Sequence, residues 1–461
     1  MPPWVERLYE YTQNAGDWFH KVVNMLSRPN ADIDVALREA RAGFAAKRPK
    51  SQAVAAEAER YMPGGNTRSV LYHGPFPVRA VSGEGATIVD ADGHRYVNLN
   101  GEHTAGIYGH SHPVIKAAVA QALDNGFNLA AHNLYEIELA RLICERFKSI
   151  ELVRFTNSGT EANLLAIAIA RKFTGRSKVT AFKEAYHGGV LHFAGGGLPI
   201  NAPFPFVLAE YNRLDAARQL IRTHAGDLAC VIVEPMIGSG GCIPGELAFL
   251  RMLRDETSRA GALLIFDEVM TSRFKAGGAQ GLWNIAPDLT TLGKYIGGGM
   301  TFGAFGGRAD VMTLFDPRQP GAMPHAGTFN NNVVTMSAGI AGLSKVFTPD
   351  VAAALHDRGD EVRNRLNDLF AEMNAKLTAT GVGSIMMIHI GDHGAITAAS
   401  LRQEDQRLRQ LLYLDLLDQG FFTGPKLFMA LSLQITDAMI GGFLEALQNL
   451  IGARRSIYAA A

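Results

Sequence analysis

Lys294 closes a short apolar run, Leu289-Thr290-Thr291-Leu292-Gly293-Lys294, and Gly297-Gly298-Gly299 follow at once. The end of a strand is an unusual place for a solvated charge. Glycines let backbone and a flat ligand come close. An amine held there and partly desolvated loses its proton and attacks a carbonyl. A surface lysine beside a flexible loop leaves the same trace, so the weight falls on partners elsewhere. Leu263-Leu264-Ile265-Phe266-Asp267-Glu268-Val269 reads as a buried parallel strand that stops at two carboxylates. Ligands of open α/β sheets bind beyond the carboxyl ends of strands. That puts Asp267 where a carboxylate meets a ligand; a cap on the next turn is the plainer alternative. In Phe155-Thr156-Asn157-Ser158-Gly159-Thr160-Glu161-Ala162-Asn163, Ser158 and Glu161 have capping-box spacing, and an apolar helical stretch runs on to Gly175. Strand, small-residue turn and helix start make an anion site from backbone N–H groups and the helix dipole. Ser158 and Thr160 add hydroxyl donors.

An amine, a carboxylate and an anion cradle, each at a strand end, are what pyridoxal 5'-phosphate requires: a lysine for its aldehyde, an acid for its ring nitrogen and a grip on its phosphate. The chemistry this set supports is transamination. Lys294 is expected to carry the cofactor covalently at rest. Once a substrate amine has displaced it, Lys294 moves a proton between substrate and cofactor carbons as base and acid. Asp267 keeps the ring nitrogen protonated, so that the ring accepts electrons from the broken C–H bond.

The elements that must hold these groups in place follow from the pattern around them. From about Leu152 to Arg308 strands and helices alternate. Val179–Phe182, Ala229–Val233, Leu263–Phe266 and Leu289–Leu292 read as buried strands, and Glu161–Lys172 and Leu247–Arg259 as helices between them. This is the signature of a mostly parallel sheet with covering helices, an α/β fold. Ala86 to Asn98 reads as two strands around an Asp-Gly turn. After Phe347-Thr348-Pro349-Asp350 the chain turns more charged and helical, with strands expected at Gly381–Ile390 and Phe428–Leu433 in a smaller α+β domain built from both chain ends. The expected division is 1–50, a helical extension; 51–98, the first part of the small domain; 99–346, the large cofactor-binding domain; and 347–461, the rest of the small domain. Trp18, Phe19, Val22, Val23 and Leu26 recur at helical spacing, so an amphipathic helix is expected there, packed on the protein's own body or on a partner subunit, with a second helix from Asp34 to about Lys47. Gly109-His110-Ser111-His112-Pro113 opens a further helix. Its paired histidines lack a third ligand cluster, and no metal site is expected. The glycine clusters at Gly195–Gly197 and Gly238–Gly241 match no nucleotide motif and read as turns or ligand-facing loops.

Composition narrows the class of protein. The chain has 461 residues, with 44 basic and 44 acidic side chains and a formal net charge of zero. Lysine and arginine are scattered, which argues against nucleic acid as a partner. No apolar stretch is long enough to span a bilayer. Glu6, Glu10 and Asp17 fit neither a secretory signal nor a transit peptide. The 3 cysteines, Cys144, Cys230 and Cys242, are widely spaced and read as packing residues in a reducing, cytoplasmic setting.

Ser158-Gly159-Thr160-Glu161-Ala162, Phe266-Asp267-Glu268-Val269 and Leu292-Gly293-Lys294, in this order and spacing, resemble the class III aminotransferases of fold type I, over nearly the whole chain from about Ala56 to Leu450. Tyr61-Met62-Pro63-Gly64, Arg68-Ser69-Val70-Leu71, Asp267 through Arg273 and Gly327-Thr328-Phe329-Asn330-Asn331-Asn332 look most like the β-phenylalanine aminotransferases. Glutamate-1-semialdehyde aminomutase is a more distant relative that shares the cofactor residues. The resemblance implies that Tyr186, in Ala185-Tyr186-His187-Gly188-Gly189, stacks on the cofactor ring and that Val269 packs on its other face. It implies that Glu234, in Val233-Glu234-Pro235, lies near the cofactor. Thr328 would grip the phosphate of the other subunit, so a homodimer with shared sites is implied. Arg68 would bind the carboxylate of a β-amino acid through its planar fork. The chain departs from these relatives in two places. Gly424-Pro425-Lys426-Leu427 has Lys426 where they have an arginine for the carboxylate of an α-keto acid, which leaves both 2-oxoglutarate and pyruvate as acceptors. His103 stands where they tend to have tyrosine and reshapes the pocket. An amine transaminase of broader scope and an aminomutase remain the alternatives.

Overall fold

The computed structural model describes residues 33–126, 128–391, 396–397, 400 and 404–459. The helix expected around Trp18 to Leu26 lies outside them. The second expected helix is present as Ile33–Lys47. No described helix is long and apolar enough to cross a membrane.

The central element is a seven-stranded sheet in the order Leu152–Thr156, Gly303–Gly307, Leu289–Gly293, Leu263–Asp267, Leu228–Val233, Lys178–Phe182, Phe206–Ala209. Gly303–Gly307 runs antiparallel to both neighbours, and the other pairings of the sheet are parallel. The sequence runs explain this. Leu228–Val233, Leu263–Asp267 and Leu289–Gly293 are buried at every position, as strands covered on both faces must be. Gly159–Thr174 and Leu247–Ala260 cover the sheet and end in left-handed Gly175 and Gly261, the usual helix stop. Each wholly buried aliphatic side chain here, such as Val231 or Ile265, contributes about 1.5–3 kcal/mol by leaving water.

The two ends of the chain share a second sheet. Ala80–Glu84, Thr87–Asp90 and Arg95–Asn98 form an antiparallel set around the expected Asp-Gly turn, and Phe421–Phe422 joins its edge in parallel, Phe421 opposite Val97. Buried Arg48 fastens this junction. It donates to Tyr96 Oη at 2.9 Å and to Asp418 Oδ1 at 3.1 Å, while Tyr96 donates to Asp90 at 2.6 Å. The segment expected as one strand from Gly381 to Ile390 is a hairpin, Leu377–Val382 against Ile385–Ile390. Gly383, in left-handed backbone, makes the turn, and a turn residue inside an apolar run is easy to read through. Phe428–Ala430 adds the third strand. The histidines before Pro113 do local work: His112 caps the helix Pro113–Asp124, and His110 Nε2 lies 3.1 Å from Asn98.

Candidate active site

Five strands of the sheet each deliver a functional group at or just beyond their carboxyl ends. Leu152–Thr156 leads to Ser158, the N-cap of Gly159–Thr174, whose Oγ accepts from Glu161 N at 3.2 Å. The reciprocal half of the cap is displaced by one residue, because Glu161 accepts from Asn157 N at 3.0 Å. Lys178–Phe182 leads to Tyr186, Leu228–Val233 to Glu234, Leu263–Asp267 ends on Asp267, and Leu289–Gly293 delivers Lys294. Ser158, Gly159, Thr160, Tyr186, Glu234, Asp267, Val269 and Lys294 line one cavity of about 270 Å³.

The cavity fits pyridoxal phosphate on its own geometry. At one end, the first turn of Gly159–Thr174 faces in with Ser158 and Thr160 beside it, which suits a dianionic phosphate. Gly159 is required here, since a Cβ would come within 2.8 Å of Val269 Cγ2. At the other end Asp267, 4% exposed, is held by three donors. Asn163 Nδ2 and His187 Nδ1 each reach Oδ2 at 2.8 Å, and Val269 N reaches Oδ1 at 3.0 Å. Asn163 is itself fixed, accepting from Thr291 Oγ1 at 2.7 Å. A buried carboxylate so held is set to face a cationic ring nitrogen. Its neighbour Glu268 turns away and accepts from the backbone N–H groups of Ala279 and Gln280 at 2.7 and 2.9 Å. The paired carboxylates of the sequence thus divide into one for the cavity and one for the scaffold.

Lys294 occupies left-handed backbone, φ 56°, where a side chain other than glycine is strained. Burial pulls its amine down to about 8; Asp267 and Glu234 push it back up, and Arg273 and Arg68 lower it further. Glu234 is pushed up to about 7, chiefly by burial. It accepts from Tyr186 N at 2.8 Å and Gly238 N at 3.0 Å, so it pins the loops on both sides of the cavity. The glycines after Lys294 do less for ligand approach than their number suggests. A Cβ on Gly297 would strike Phe302 at 2.3 Å, and one on Gly298 the Ala338 backbone at 2.4 Å. They let the lysine turn pack against the helix Val333–Ala341.

Arg68, His103 and Lys426 lie beyond the cavity lining and act on it electrostatically. Arg68 is exposed and its guanidinium has no ion pair among the described residues; its charge lowers both Lys294 and His103. His103 stacks on Phe428 with ring centroids 5.3 Å apart. Burial, then Lys294, Arg68 and Lys426, hold it at about 3, so it is a neutral ring among three cations. Lys426 Nζ reaches Ser239 O at 3.4 Å, and crowding by protein and by Arg409 lowers its amine. Thr328 is not brought to the cavity. It is exposed and lines a separate cleft with Leu129 and Phe329. Sequence reasoning missed Asn163, His187, Met270, Met300 and Phe302, which also line the cavity. His187 stood beside Tyr186 and carried a signal; Asn163 lay one helical turn inside the cap; the three apolar residues carried none.

The profile of the family Aminotransferase class-III matches residues 71–451. The chain is 51% identical over 428 residues to beta-phenylalanine transaminase of Variovorax paradoxus, covering 93% of this chain and 98% of that protein. A solved structure of a beta-phenylalanine aminotransferase from Variovorax paradoxus superposes with a TM-score of 0.92 at 51% identity, over 93% of this chain and 100% of the other. Glutamate-1-semialdehyde 2,1-aminomutase 2 of Lachnoclostridium phytofermentans is 36% identical over 401 residues, 83% of this chain and 94% of that protein. A transaminase structure with PLP bound has a TM-score of 0.81 at 31% identity, over 88% of this chain and 98% of that one.

Proposed function

Because the chain belongs to the class-III aminotransferase family and is a pyridoxal phosphate-dependent enzyme of fold type I, we propose that it takes the amino group of an aromatic β-amino acid and passes it to 2-oxoglutarate or pyruvate. The observation that carries this is Arg68, an unpaired guanidinium within electrostatic reach of Lys294, in a chain 51% identical to a β-phenylalanine transaminase.

When bound, the cofactor supplies an aldehyde for the substrate amine and a ring that stores the electron pair of a broken C–H bond. Lys294 holds the aldehyde end. Its amine, lowered to about 8 chiefly by burial, reaches its free form well below the ordinary lysine range, and it would serve as the point of attachment and as the base and acid at the substrate carbon. Asp267 holds the ring nitrogen protonated, and His187 and Asn163 keep its carboxylate from turning. Ser158, Gly159 and Thr160 hold the phosphate. Tyr186 and Val269, both lining the cavity, would bound the ring on its two faces, and Met270, Met300 and Phe302 keep the cavity wall apolar. Arg68 orients the donor through its carboxylate. Lys426 and neutral His103 bound the region where the acceptor's carboxylate would sit, a point charge rather than a fork, which favours neither keto acid by geometry.

The active unit in this reading is a homodimer in which Thr328 grips the partner's phosphate. Its exposure beside exposed Phe329 and Leu129 supports this, as does the bond from Asn157 Nδ2 to Asn330 Oδ1 at 3.0 Å, which ties the Thr328 loop to the phosphate cup. A cytoplasmic setting accords with three free cysteines.

The test compares kcat/KM for an aromatic β-amino acid with that for the amine lacking its carboxylate. Arg68→Ala should lower the first on the order of 100-fold, a charged hydrogen-bonded pair being worth about 2–3 kcal/mol, and spare the second. Equal loss on both, or a wild type that prefers the amine, moves the assignment to an amine transaminase of broader scope. An isomer formed without any second carbonyl substrate moves it to an aminomutase.

A further inference from the structure

Arg273 ends the turn that begins at Asp267, and it is wholly enclosed, 0% exposed. Enclosed guanidinium groups are ordinarily matched by a carboxylate, because an unpaired buried charge is costly. Here no carboxylate ion-pairs with it among the described residues. Its Nε donates to Ser384 Oγ at 3.1 Å, its Nη2 donates to the Leu431 carbonyl, and its Nη1 has no partner.

The two acceptors are informative. Ser384 sits in the turn of the hairpin Leu377–Val382 and Ile385–Ile390. Leu431 follows Phe428–Ala430, the strand whose Phe428 stacks on His103 and which continues from Lys426. Leu431 N donates to Ser384 O at 2.9 Å, so the guanidinium grips two strands that are already joined. On its other side the turn is fastened to the reacting lysine. Tyr295, next to Lys294, donates through Oη to Ser272 O at 2.9 Å. A continuous path therefore runs from the strand of Phe428, which stacks on His103, through Leu431, Arg273 and Ser272, to the lysine turn.

We propose that Arg273 is a positioning residue: it joins the strands Ile385–Ile390 and Phe428–Ala430 to the turn between Asp267 and the lysine so that they keep one spacing, and it buries a cation without a carboxylate partner beside the lysine turn. This rests on the reading of Lys294 as the reacting amine. The arrangement explains why a cation is kept where an apolar side chain would pack at lower cost. A neutral residue could fill the space but would neither hold two acceptors from two strands nor bias the amine. The groups acting on Lys294 are Asp267 and Glu234, which favour its protonated form, and Arg273 and Arg68, which oppose it; His103, itself neutral, faces the same cations.

The test uses full-length protein and three variants. In cofactor-free protein, acylation of Lys294 by an amine-directed reagent is followed against pH by peptide mapping; in the holoenzyme, kcat/KM is measured for an aromatic β-amino acid. Arg273→Met should raise the pH midpoint of Lys294 acylation and lower kcat/KM on the order of 100-fold, the loss a displacement of about 1 Å can produce. Arg273→Lys keeps the charge and loses the fork, so the midpoint should stay at the wild-type value while kcat/KM falls. Ser384→Ala should do the same, more mildly. Should Arg273→Met fail to fold, the other two variants decide. An Arg273→Met midpoint equal to wild type, or wild-type kcat/KM in both Arg273→Lys and Ser384→Ala, overturns the proposal. The site reading fails separately: borohydride reduction of wild-type holoenzyme that labels a lysine other than Lys294 removes the reacting amine itself.

Discussion

At the scale of single residues, the side chains split into those that touch the cofactor's place and those that aim them. Asp267 does the first; Asn163 and His187 do the second, from positions 104 and 80 residues away along the chain. Asp267→Asn replaces the acceptor Oδ2 with a donor facing two donors, and it removes the charge proposed to hold the ring nitrogen protonated. Turnover should fall by about two to three orders of magnitude, the loss that follows removal of one preorganised electrostatic contact, while the fold survives; near-normal turnover would end the electron-sink argument at this residue. The pH dependence has a definite sign. The Lys294 amine is lowered to about 8, so in cofactor-free protein its free form should appear from about that pH upward, well below the ordinary lysine range near 10.4. An acylation midpoint in the ordinary range would show that burial does not act on it. Asp267 and Lys294 were legible in sequence because each closes an apolar run. Asn163 was not, because what recruits it is a contact across the sheet that no local spacing records, and His187 was marked only by its place beside Tyr186.

Whole elements were legible where the pattern was strong. The four buried strands expected between Val179 and Leu292 are present within a residue or two of their ends, since a continuous β-branched run has few other uses. The hairpin at Leu377–Ile390 was read as one strand, because Gly383-Ser384 interrupts the apolar run too briefly to stand out. The glycines after Lys294 were read as room for a ligand, and the structure uses two of them, Gly297 and Gly298, for close packing. Gly298 shows this most sharply, with φ 66° and no space for a Cβ against Ala338. Gly298→Ala should destabilise the protein by about 2–4 kcal/mol, left-handed strain and overpacking adding together, read as a fall in the urea midpoint at unchanged slope. A variant as stable as wild type would mean that the lysine turn is free to shift.

Taken as a whole, the molecule divides its cavity-lining groups from Thr328, which faces outward from its own site. If two copies share sites as proposed, a mixture of Lys294→Ala and Thr328→Ala proteins, each of low activity, should recover activity as subunits exchange, because one of the hybrid's two sites is intact. Confirmed exchange without recovery, alongside a Thr328→Ala protein of full activity, would separate Thr328 from the phosphate. The pairing of subunits was not legible in the residues themselves and came only through resemblance, since exposed apolar side chains such as Phe329 and Leu134 look like any other apolar residue until a fold leaves them uncovered.

The edge strand Arg95–Asn98 waits for Phe421–Phe422, and Asn100 reaches Thr423 O across 323 residues. During synthesis, that edge therefore stays open until the chain has emerged as far as Phe421. Long-range pairing of this kind is slow and exposes unpaired edges meanwhile. Nascent chains stalled before Phe421 should remain sensitive to protease around Arg95–Asn98, and protection should arrive abruptly once Phe421–Phe422 is free to dock. Completion of this sheet is thus governed by its latest strand, Phe421–Phe422, and the unfinished edge must be sheltered until that strand arrives.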